Sequence, residues 1–306
     1  MTAGAAMGAP GTARREAERT SRKAAGLHAT ARALVSEGKG ILAADESIPT
    51  ISKRLYAFGI EPSEEIRREY RELLFGAPGI EEHVSGAILH DETLSQRSAD
   101  GLSFPQLLQQ RGILPGIKVD TGVRPLAGTQ GEVATEGLDG LAERLAGYRD
   151  QGACFAKWRA VLDISGSRPS SSCIVSNAHA LAMYAAACQA AGVVPIVEPE
   201  VLTAGSHDLA RCGAATRQVL SEVFSQLQAV GVDLRGVVLK ASMVLPGTSS
   251  GSPVHAHEVA AATVACLRDT VPSSVPGVAF LSGGQAACRA VAHLDAISRL
   301  GPHPWD

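Results

Sequence analysis

The chain lacks both a long hydrophobic run and a strong net charge. No apolar stretch approaches the roughly 20 residues that a membrane-spanning helix needs, so we expect no membrane partner. The formal net charge is −3 over 306 residues, which gives no electrostatic case for nucleic acid as the main partner. The first 26 residues contain acids and have no continuous apolar core, unlike a secretory or transit peptide.

Metal-binding spacings are absent as well. None of the six cysteines forms a CxxC pair, and the nine histidines show neither an HxxxH nor an HExxH pattern. No dedicated metal site is therefore expected. Cysteines without such a pattern predict a cytoplasmic protein with reduced, mostly buried thiols, and we interpret Cys154 as structural.

Strand-like and helix-like segments alternate along the chain. Its length suits an α/β barrel of roughly 250 residues, and we interpret residues 1–26 as a flexible N-terminal arm and 27–306 as one barrel domain. The alternation predicts parallel strands joined by right-handed crossovers. The predicted strands are 40–45, 87–90, 116–120, 154–162, 194–200, 236–242 and 278–282. The predicted helices are 64–75, 138–151, 177–191, 207–229, 257–269 and 285–300, with Gly192 and Gly231 as helix stops.

Charged side chains end three of the predicted strands. They are Lys157 and Arg159, then Glu198 and Glu200, then Lys240. Charge is costly in a strand buried on both faces, so these ends indicate one shared polar site at the carboxyl face of a barrel. A lysine among apolar walls and other cations is favoured in its neutral, nucleophilic form. Lys240 is therefore a candidate for a Schiff base with a carbonyl substrate.

Eight short blocks resemble, in order, the class I fructose-1,6-bisphosphate aldolases. The blocks are residues 40–47, 116–120, 125–129, 136–141, 155–159, 196–200, 238–240 and 281–285. The resemblance implies an α/β fold of the TIM (β/α)8 type. It implies a glycolytic lyase that reversibly cleaves fructose 1,6-bisphosphate into dihydroxyacetone phosphate and glyceraldehyde 3-phosphate. It also implies that no metal or organic cofactor is used, and that the protein is a cytoplasmic homotetramer.

The resemblance gives a catalytic role to five charged residues. Lys240 would attack the substrate ketone and form a carbinolamine and then an iminium, while Glu198 would relay protons as water leaves. Asp45 would take the proton of the C4 hydroxyl as the carbon–carbon bond breaks. Lys157 would keep Lys240 unprotonated by like-charge repulsion. Glu200 would complete the charged ring.

The resemblance also implies residues that bind the substrate and its two phosphates. Ser282, Gly283 and Gly284 form a turn whose hydroxyl and backbone N–H groups suit a phosphate. The other candidates are Ser47, Lys53 and Arg54 after the first strand, and Lys118 and Arg159 in the ring.

The chain departs from the family pattern in three places. Ala241 and Ser242 follow the lysine where the family has Pro-Asn, and Pro49 and Thr50 stand where it has Gly and Ser. Pro49 fixes φ and removes a donor, which would alter contacts to one phosphate. Near the end of the sequence is the pair Pro304-Trp305, which in the family leads into the eighth strand. We therefore expect a barrel truncated after strand and helix seven, with unpaired edges on its first and last strands.

Two other functions stay open. A Schiff-base aldolase for another sugar phosphate would also use Lys240, although the glycine-rich turn and the Lys53-Arg54 pair favour a substrate with two phosphates. A catalytically impaired homologue acting as a binding or scaffold protein is favoured by the missing strand and opposed by the complete set of charged residues. Ordinary structural explanations exist for each residue, such as a helix N-cap for Asp45. They do not explain why charges recur at successive strand ends. Trp158 is expected to pack.

Overall fold

A parallel sheet of seven strands organises the protein. The computed structural model describes residues 10–251 and 253–305. The strands of the sheet, in the order in which they pair, are β1 (Gly40–Ala44), β2 (Val84–Leu89), β3 (Leu114–Lys118), β6 (Phe155–Leu162), β7 (Val194–Val201), β8 (Val238–Ser242) and β9 (Val278–Leu281). Every pairing between neighbours is parallel. All seven predicted strands are confirmed, with small changes at their ends.

The sheet curls into a nearly closed barrel. Lys157 in β6 contacts Asp45 at the end of β1, although β2 and β3 separate these strands in the sheet. Such a contact requires side chains from both strands to meet inside a curved sheet. Within the described residues no pairing joins β1 to β9, so both are edge strands.

Helices connect successive strands and cover the outside of the barrel. They are α1 (Pro10–Leu34), α2 (Ile48–Ala57), α3 (Glu64–Phe75), α4 (Ile80–His83), α5 (Asp91–Ser95), α6 (Phe104–Gln110), α7 (Leu141–Asp150), α8 (Ser171–Ala191), α9 (Leu209–Ala229), α10 (Ala256–Thr270) and α11 (Ala287–Ser298). The six predicted helices are confirmed as α3 and α7 to α11. Gly192, with φ of 79°, and Gly231, with φ of 77°, follow α8 and α9 as predicted. Within residues 10–251 and 253–305 no helix combines the length and apolar character needed to cross a membrane.

Helix α1 closes the amino end of the barrel. Its buried residues Leu27, Ala31 and Leu34 pack against Phe155 and Val238, near the starts of β6 and β8. The helix runs through residue 26 without a break, so the predicted boundary between arm and domain is not a boundary of secondary structure. Residues 1–9 lie outside the described part of the chain, and the flexibility of the arm stays a prediction.

An antiparallel hairpin that the sequence did not reveal follows β3. It consists of β4 (Gly122–Pro125) and β5 (Val133–Glu136). Thr135 donates a hydrogen bond from its hydroxyl to the backbone oxygen of Arg159 at 2.9 Å. Asn177 in α8 accepts from the Thr135 backbone N–H at 3.1 Å. The hairpin is thus fixed beside the carboxyl end of β6.

Candidate active site

The two-residue period of the strands places the charged side chains inside the barrel. On β6, Phe155, Lys157 and Arg159 alternate with Ala156 and Trp158, and successive side chains of a strand point to opposite faces. Phe155 contacts the residues of α1 at the amino end. Trp158 points outward, with its ring centroid 5.4 Å from that of Tyr184, which confirms that it packs. The barrel interior therefore changes from apolar at the amino end to charged at the carboxyl end.

Four charged residues form a continuous chain of contacts, three of them in strands and one, Asp45, directly after β1. The Nζ atom of Lys157 lies 2.7 Å from Asp45 Oδ2 and 3.4 Å from Glu198 Oε2. The Nζ atom of Lys240 lies 2.8 Å from Glu198 Oε1. The Lys157 and Glu198 side chains are only 5% and 3% exposed. The arrangement thus alternates in sign from Asp45 through Lys157 and Glu198 to Lys240.

Burial and charge act in opposite directions on the central pair. Burial alone would raise the pKa of Asp45, but the cations Lys157 and Lys240 outweigh it and leave that pKa lowered. Burial alone would lower the pKa of Lys157, but the carboxylates of Asp45, Glu198 and Asp120 outweigh it and leave that pKa raised. Each member of the pair thus holds the other in its charged form at neutral pH.

A second pair of cations lies beside this chain. Lys118 donates from Nζ to Asp120 Oδ1 at 2.6 Å, and the other Asp120 oxygen accepts from the Arg159 backbone N–H at 3.2 Å. The Arg159 guanidinium forms an ion pair with Glu200. Burial would lower the pKa of Arg159, but this partner and the nearby acids raise it. The predicted ring members Lys118, Arg159 and Glu200 are therefore brought together, with Asp120 as an added member.

The segment after β1 carries the predicted residues Ser47, Lys53 and Arg54. Arg54 forms an ion pair with Glu46, which directly follows Asp45. The Ser47 hydroxyl lies 2.9 Å from that of Thr50. Lys53 is exposed, and no hydrogen bond or ion pair within the described residues links it to the charged chain.

The predicted phosphate turn connects β9 to α11. Gly283 and Gly284 adopt φ of 59° and 82°, conformations that favour glycine. The Gly283 carbonyl accepts a hydrogen bond from the Thr203 hydroxyl at 2.7 Å, and the Ser282 carbonyl accepts one from Gln285 at 2.8 Å. These bonds hold the turn in place at the carboxyl end of the barrel. They occupy the carbonyl groups of Ser282 and Gly283. No residue in the described part of the chain accepts a hydrogen bond from the Gly283 or Gly284 N–H.

The gap between the two edge strands leads to Lys240. A cavity of ≈ 800 Å³ lies there, bordered by the first residues of β1 and β9 and reaching Lys240. A separate cavity of ≈ 460 Å³ lies beside Gly283 and Gly284.

Two departures from the family pattern fit the structure locally. Pro49 lies in the first turn of α2, where a missing N–H costs the helix no hydrogen bond. Ser242 is buried and donates from Oγ to the Val201 backbone oxygen at 3.1 Å. Ala241 and Ser242 continue β8 and pair with β9. The residues after Lys240 are therefore tied to both neighbouring strands.

Sequence reasoning missed Asp120, Glu46 and Arg71. Asp120 stands two residues after Lys118, and this spacing on an extended segment was an available signal for a shared face. Glu46 follows Asp45 directly, but its partner Arg71 lies on α3, 25 residues away. No local pattern marks such a contact.

Comparison with known proteins decides the family. A family model described as fructose-bisphosphate aldolase class-I matches residues 26–306. The chain belongs to the class I fructose-bisphosphate aldolase family. Among curated aldolases, a probable class 1 enzyme of Xylella fastidiosa is 52% identical over 91% of this chain and 84% of its own length. Fructose-bisphosphate aldolase 2 of Caenorhabditis elegans is 52% identical over 91% of this chain and 76% of its own length.

A solved aldolase structure supports the same fold. The fructose-bisphosphate aldolase of Plasmodium falciparum, crystallised with TRAP and a small-molecule inhibitor, superimposes with a TM-score of 0.91. It is 47% identical, and the match covers 93% of this chain and 82% of that one. The predicted family, the α/β barrel and the assignment to the aldolase lyases are thereby confirmed.

Proposed function

We propose that this aldolase cleaves fructose 1,6-bisphosphate through a Schiff base on Lys240. The observation that carries the proposal is the buried contact of 2.8 Å between Lys240 Nζ and Glu198 Oε1. It places a carboxyl group where it can exchange protons with groups bound to the lysine nitrogen. The permanent cation Lys157 lies on the other side of that carboxyl group.

The other residues then take part in successive steps. The Lys240 amine adds to the substrate carbonyl carbon, and Glu198 supplies the proton with which the former carbonyl oxygen leaves as water. Asp45, ionised because Lys157 lowers its pKa, accepts the C4 hydroxyl proton. The electrons of the breaking carbon–carbon bond pass to the iminium nitrogen and produce an enamine. Protonation of the enamine carbon and addition of water release the second product and restore Lys240.

Polar groups at the rim are assigned to the substrate and its phosphates. The N–H groups of Gly283 and Gly284 and the Ser282 hydroxyl would bind one phosphate, while Arg54 and Lys53, with Ser47, would bind the other. Lys118 and Arg159 would bind the substrate, and Glu200 would complete the charged ring through its ion pair with Arg159. The family likeness further suggests a homotetramer in the cytoplasm, which native mass spectrometry and cell fractionation would test.

The deciding experiment traps the proposed intermediate. The protein is incubated with dihydroxyacetone phosphate and reduced with borohydride, and the modified peptide is mapped by mass spectrometry. The expected result is one adduct on Lys240, retained in excess EDTA and abolished in Lys240→Met. Glu198→Gln should slow adduct formation by about 10²-fold or more, as expected for lost proton transfer.

Two outcomes would contradict the proposal. An adduct on another lysine would refute the role of Lys240. A folded wild-type protein without any adduct would refute Schiff-base catalysis and favour the binding or scaffold function. Comparing fructose 1,6-bisphosphate with other sugar phosphates as substrates would test the remaining alternative.

A further inference from the structure

Successive residues at the end of β1 serve two different networks. Asp45 points into the barrel and contacts Lys157. The side chain of Glu46 instead meets two arginines outside the charged chain, Arg54 of α2 and Arg71 of α3. Because neighbouring side chains of an extended segment point in opposite directions, the placement of one residue fixes the other. Glu46 therefore links the position of α2 to the end of β1.

Arg71 is an unusual residue for the outer layer of a barrel. Its side chain is only 2% exposed, and its Nη1 donates to Glu46 Oε2 at 2.7 Å. Its Nη2 also donates to the Glu46 backbone oxygen at 3.4 Å. A buried guanidinium is costly without such a partner. The two bonds to one residue hold the Glu46 carboxylate in a fixed orientation, which a lysine would not reproduce.

The other oxygen of the same carboxylate holds Arg54. Arg54 Nη1 bonds Glu46 Oε1, and the Arg54 side chain remains 59% exposed. Its Nε and Nη2 groups make no hydrogen bond to any residue that the structure describes. An exposed arginine without an anchor would sample many rotamers and lose that freedom on binding an anion. Anchored through one nitrogen, Arg54 still offers its other donors to a phosphate.

We propose that Arg71 and Glu46 are positioning residues that fix Arg54 for the second phosphate and so set the preference for substrates with two phosphates. The inference rests on the proposed function, because it assumes that Arg54 meets a substrate phosphate. Neither Arg71 nor Glu46 needs to touch the substrate. Arg71 acts through Glu46, and Glu46 acts through Arg54.

The test compares substrates that differ by one phosphate. The ratio of kcat/KM for fructose 1,6-bisphosphate to that for fructose 1-phosphate is measured for wild type, Arg71→Met, Arg71→Lys and Glu46→Gln. We expect the ratio to fall by about tenfold in each variant, mainly through a higher KM for the bisphosphate. The values for fructose 1-phosphate should stay within about twofold of wild type. If Arg71→Met does not fold, Arg71→Lys, which keeps the positive charge, provides the test.

A matched control separates positioning from general damage to α3. Arg67 lies one turn before Arg71 and makes a similar paired contact with Glu92, at 2.8 and 2.6 Å. Arg67→Lys should lower thermal stability much as Arg71→Lys does and leave the substrate ratio unchanged. In a protein that already carries Arg54→Met, Arg71→Lys should not lower the ratio of the two kcat/KM values any further. The reason is that Arg71 affects the substrate only through Arg54.

Several results would overturn the inference. They are an equal loss with both substrates, an unchanged ratio in the Arg71 variants, the same fall in Arg67→Lys, or a higher ratio in Glu46→Gln. The last result would mean that Glu46 competes with phosphate for Arg54. If the wild-type protein cleaves neither substrate, the proposed function fails and this inference falls with it. Wild-type cleavage with an unchanged ratio removes this inference alone.

Discussion

Replacing Lys157 with methionine tests the electrostatic centre of the site. The Lys157 ammonium is 5% exposed and lies 2.7 Å from Asp45 and 3.4 Å from Glu198. Methionine fills a similar volume but leaves both carboxylates without this cation. Glu198 keeps Lys240 at 2.8 Å, whereas Asp45 loses its close ion partner. Breaking a buried ion pair from one side costs about 3–5 kcal/mol of unfolding free energy.

The contribution of Asp45 to the pH dependence of stability should change sign in this variant. In wild type the lowered pKa of Asp45 stabilises the fold above the unfolded-state pKa, and this stabilisation is lost as pH falls through the folded pKa. Without Lys157, burial is opposed mainly by Lys240, so the pKa of Asp45 should rise above its unfolded value. The folded state then binds the proton more tightly. Relative to wild type, Lys157→Met should therefore gain stability on mild acidification, by at most about 1.4 kcal/mol per pH unit for each direction of the Asp45 shift.

Denaturant unfolding and cleavage kinetics together measure these effects. Unfolding is followed in urea from neutral to mildly acidic pH for wild type, Lys157→Met, Asp45→Asn and the double variant. The double variant should be more stable than the sum of the single losses predicts, by about 1–3 kcal/mol of coupling. Cleavage by Lys157→Met should fall by about 10²-fold or more, since Asp45 moves toward its protonated form and can no longer accept the C4 hydroxyl proton.

A loss of under about 1 kcal/mol of stability in Lys157→Met would contradict the importance of this ion pair. So would a loss of stability on acidification as steep as that of wild type, or additivity of the two substitutions. Additivity would show that Asp45 and Lys157 are adjacent without being coupled.

Three further perturbations have definite expected outcomes. Asp120→Asn removes one of the carboxylates that raise the pKa of Lys157, so the alkaline limb of the profile of kcat against pH should move to lower pH. An alkaline limb at the wild-type pH would contradict the coupling between Asp120 and Lys157. Gly116→Ala should destabilise the protein by about 1–3 kcal/mol or more in thermal unfolding, because the added Cβ would lie 2.2 Å from the Phe155 ring. An unchanged stability would show that the Phe155 ring can move away from the added methyl group. Asp233 has its pKa lowered to about 2, chiefly by the Arg235 side chain, and it also bonds His28 of α1. Asp233→Asn should therefore cost about 1 kcal/mol after allowing for solvent screening, and the difference from wild type should disappear as acid protonates Asp233; a difference that persists in acid would argue against the ion pair.

Local sequence pattern was sufficient for the strands and for the type of site. Each barrel strand is a short apolar run bounded by glycine, proline or charge, and burial on both faces makes such runs recognisable without tertiary information. The charges that interrupt these runs at their ends, such as those of Lys157 and Lys240, are costly unless they share a polar site. Their recurrence at successive ends therefore predicted one carboxyl-face site.

The hairpin was missed because its signal is weak in each strand. β4 and β5 have four residues each, and three of the four β4 residues are exposed. Neither strand thus shows an apolar run or a clear alternation. The hairpin forms because Thr135 finds partners on β6 and α8, and these partners are distant in sequence.

The positions of the charged residues at the carboxyl end of the barrel could be predicted from the order of residues along each strand. The pairing of those charges could not, because it depends on how the strands and helices pack. The two-residue period of the strands and their common direction place Asp45, Lys157 and Glu198 at the carboxyl face of the barrel. The curvature of the sheet then brings Lys157 Nζ to 2.7 Å from Asp45 and 3.4 Å from Glu198. The partnership of Arg71 with Glu46 likewise depends on how α3 packs beside β1. From the local sequence one can predict only that burying a charged residue is costly. The residue that compensates the charge can come from a distant segment, and the fold decides which segment lies beside it.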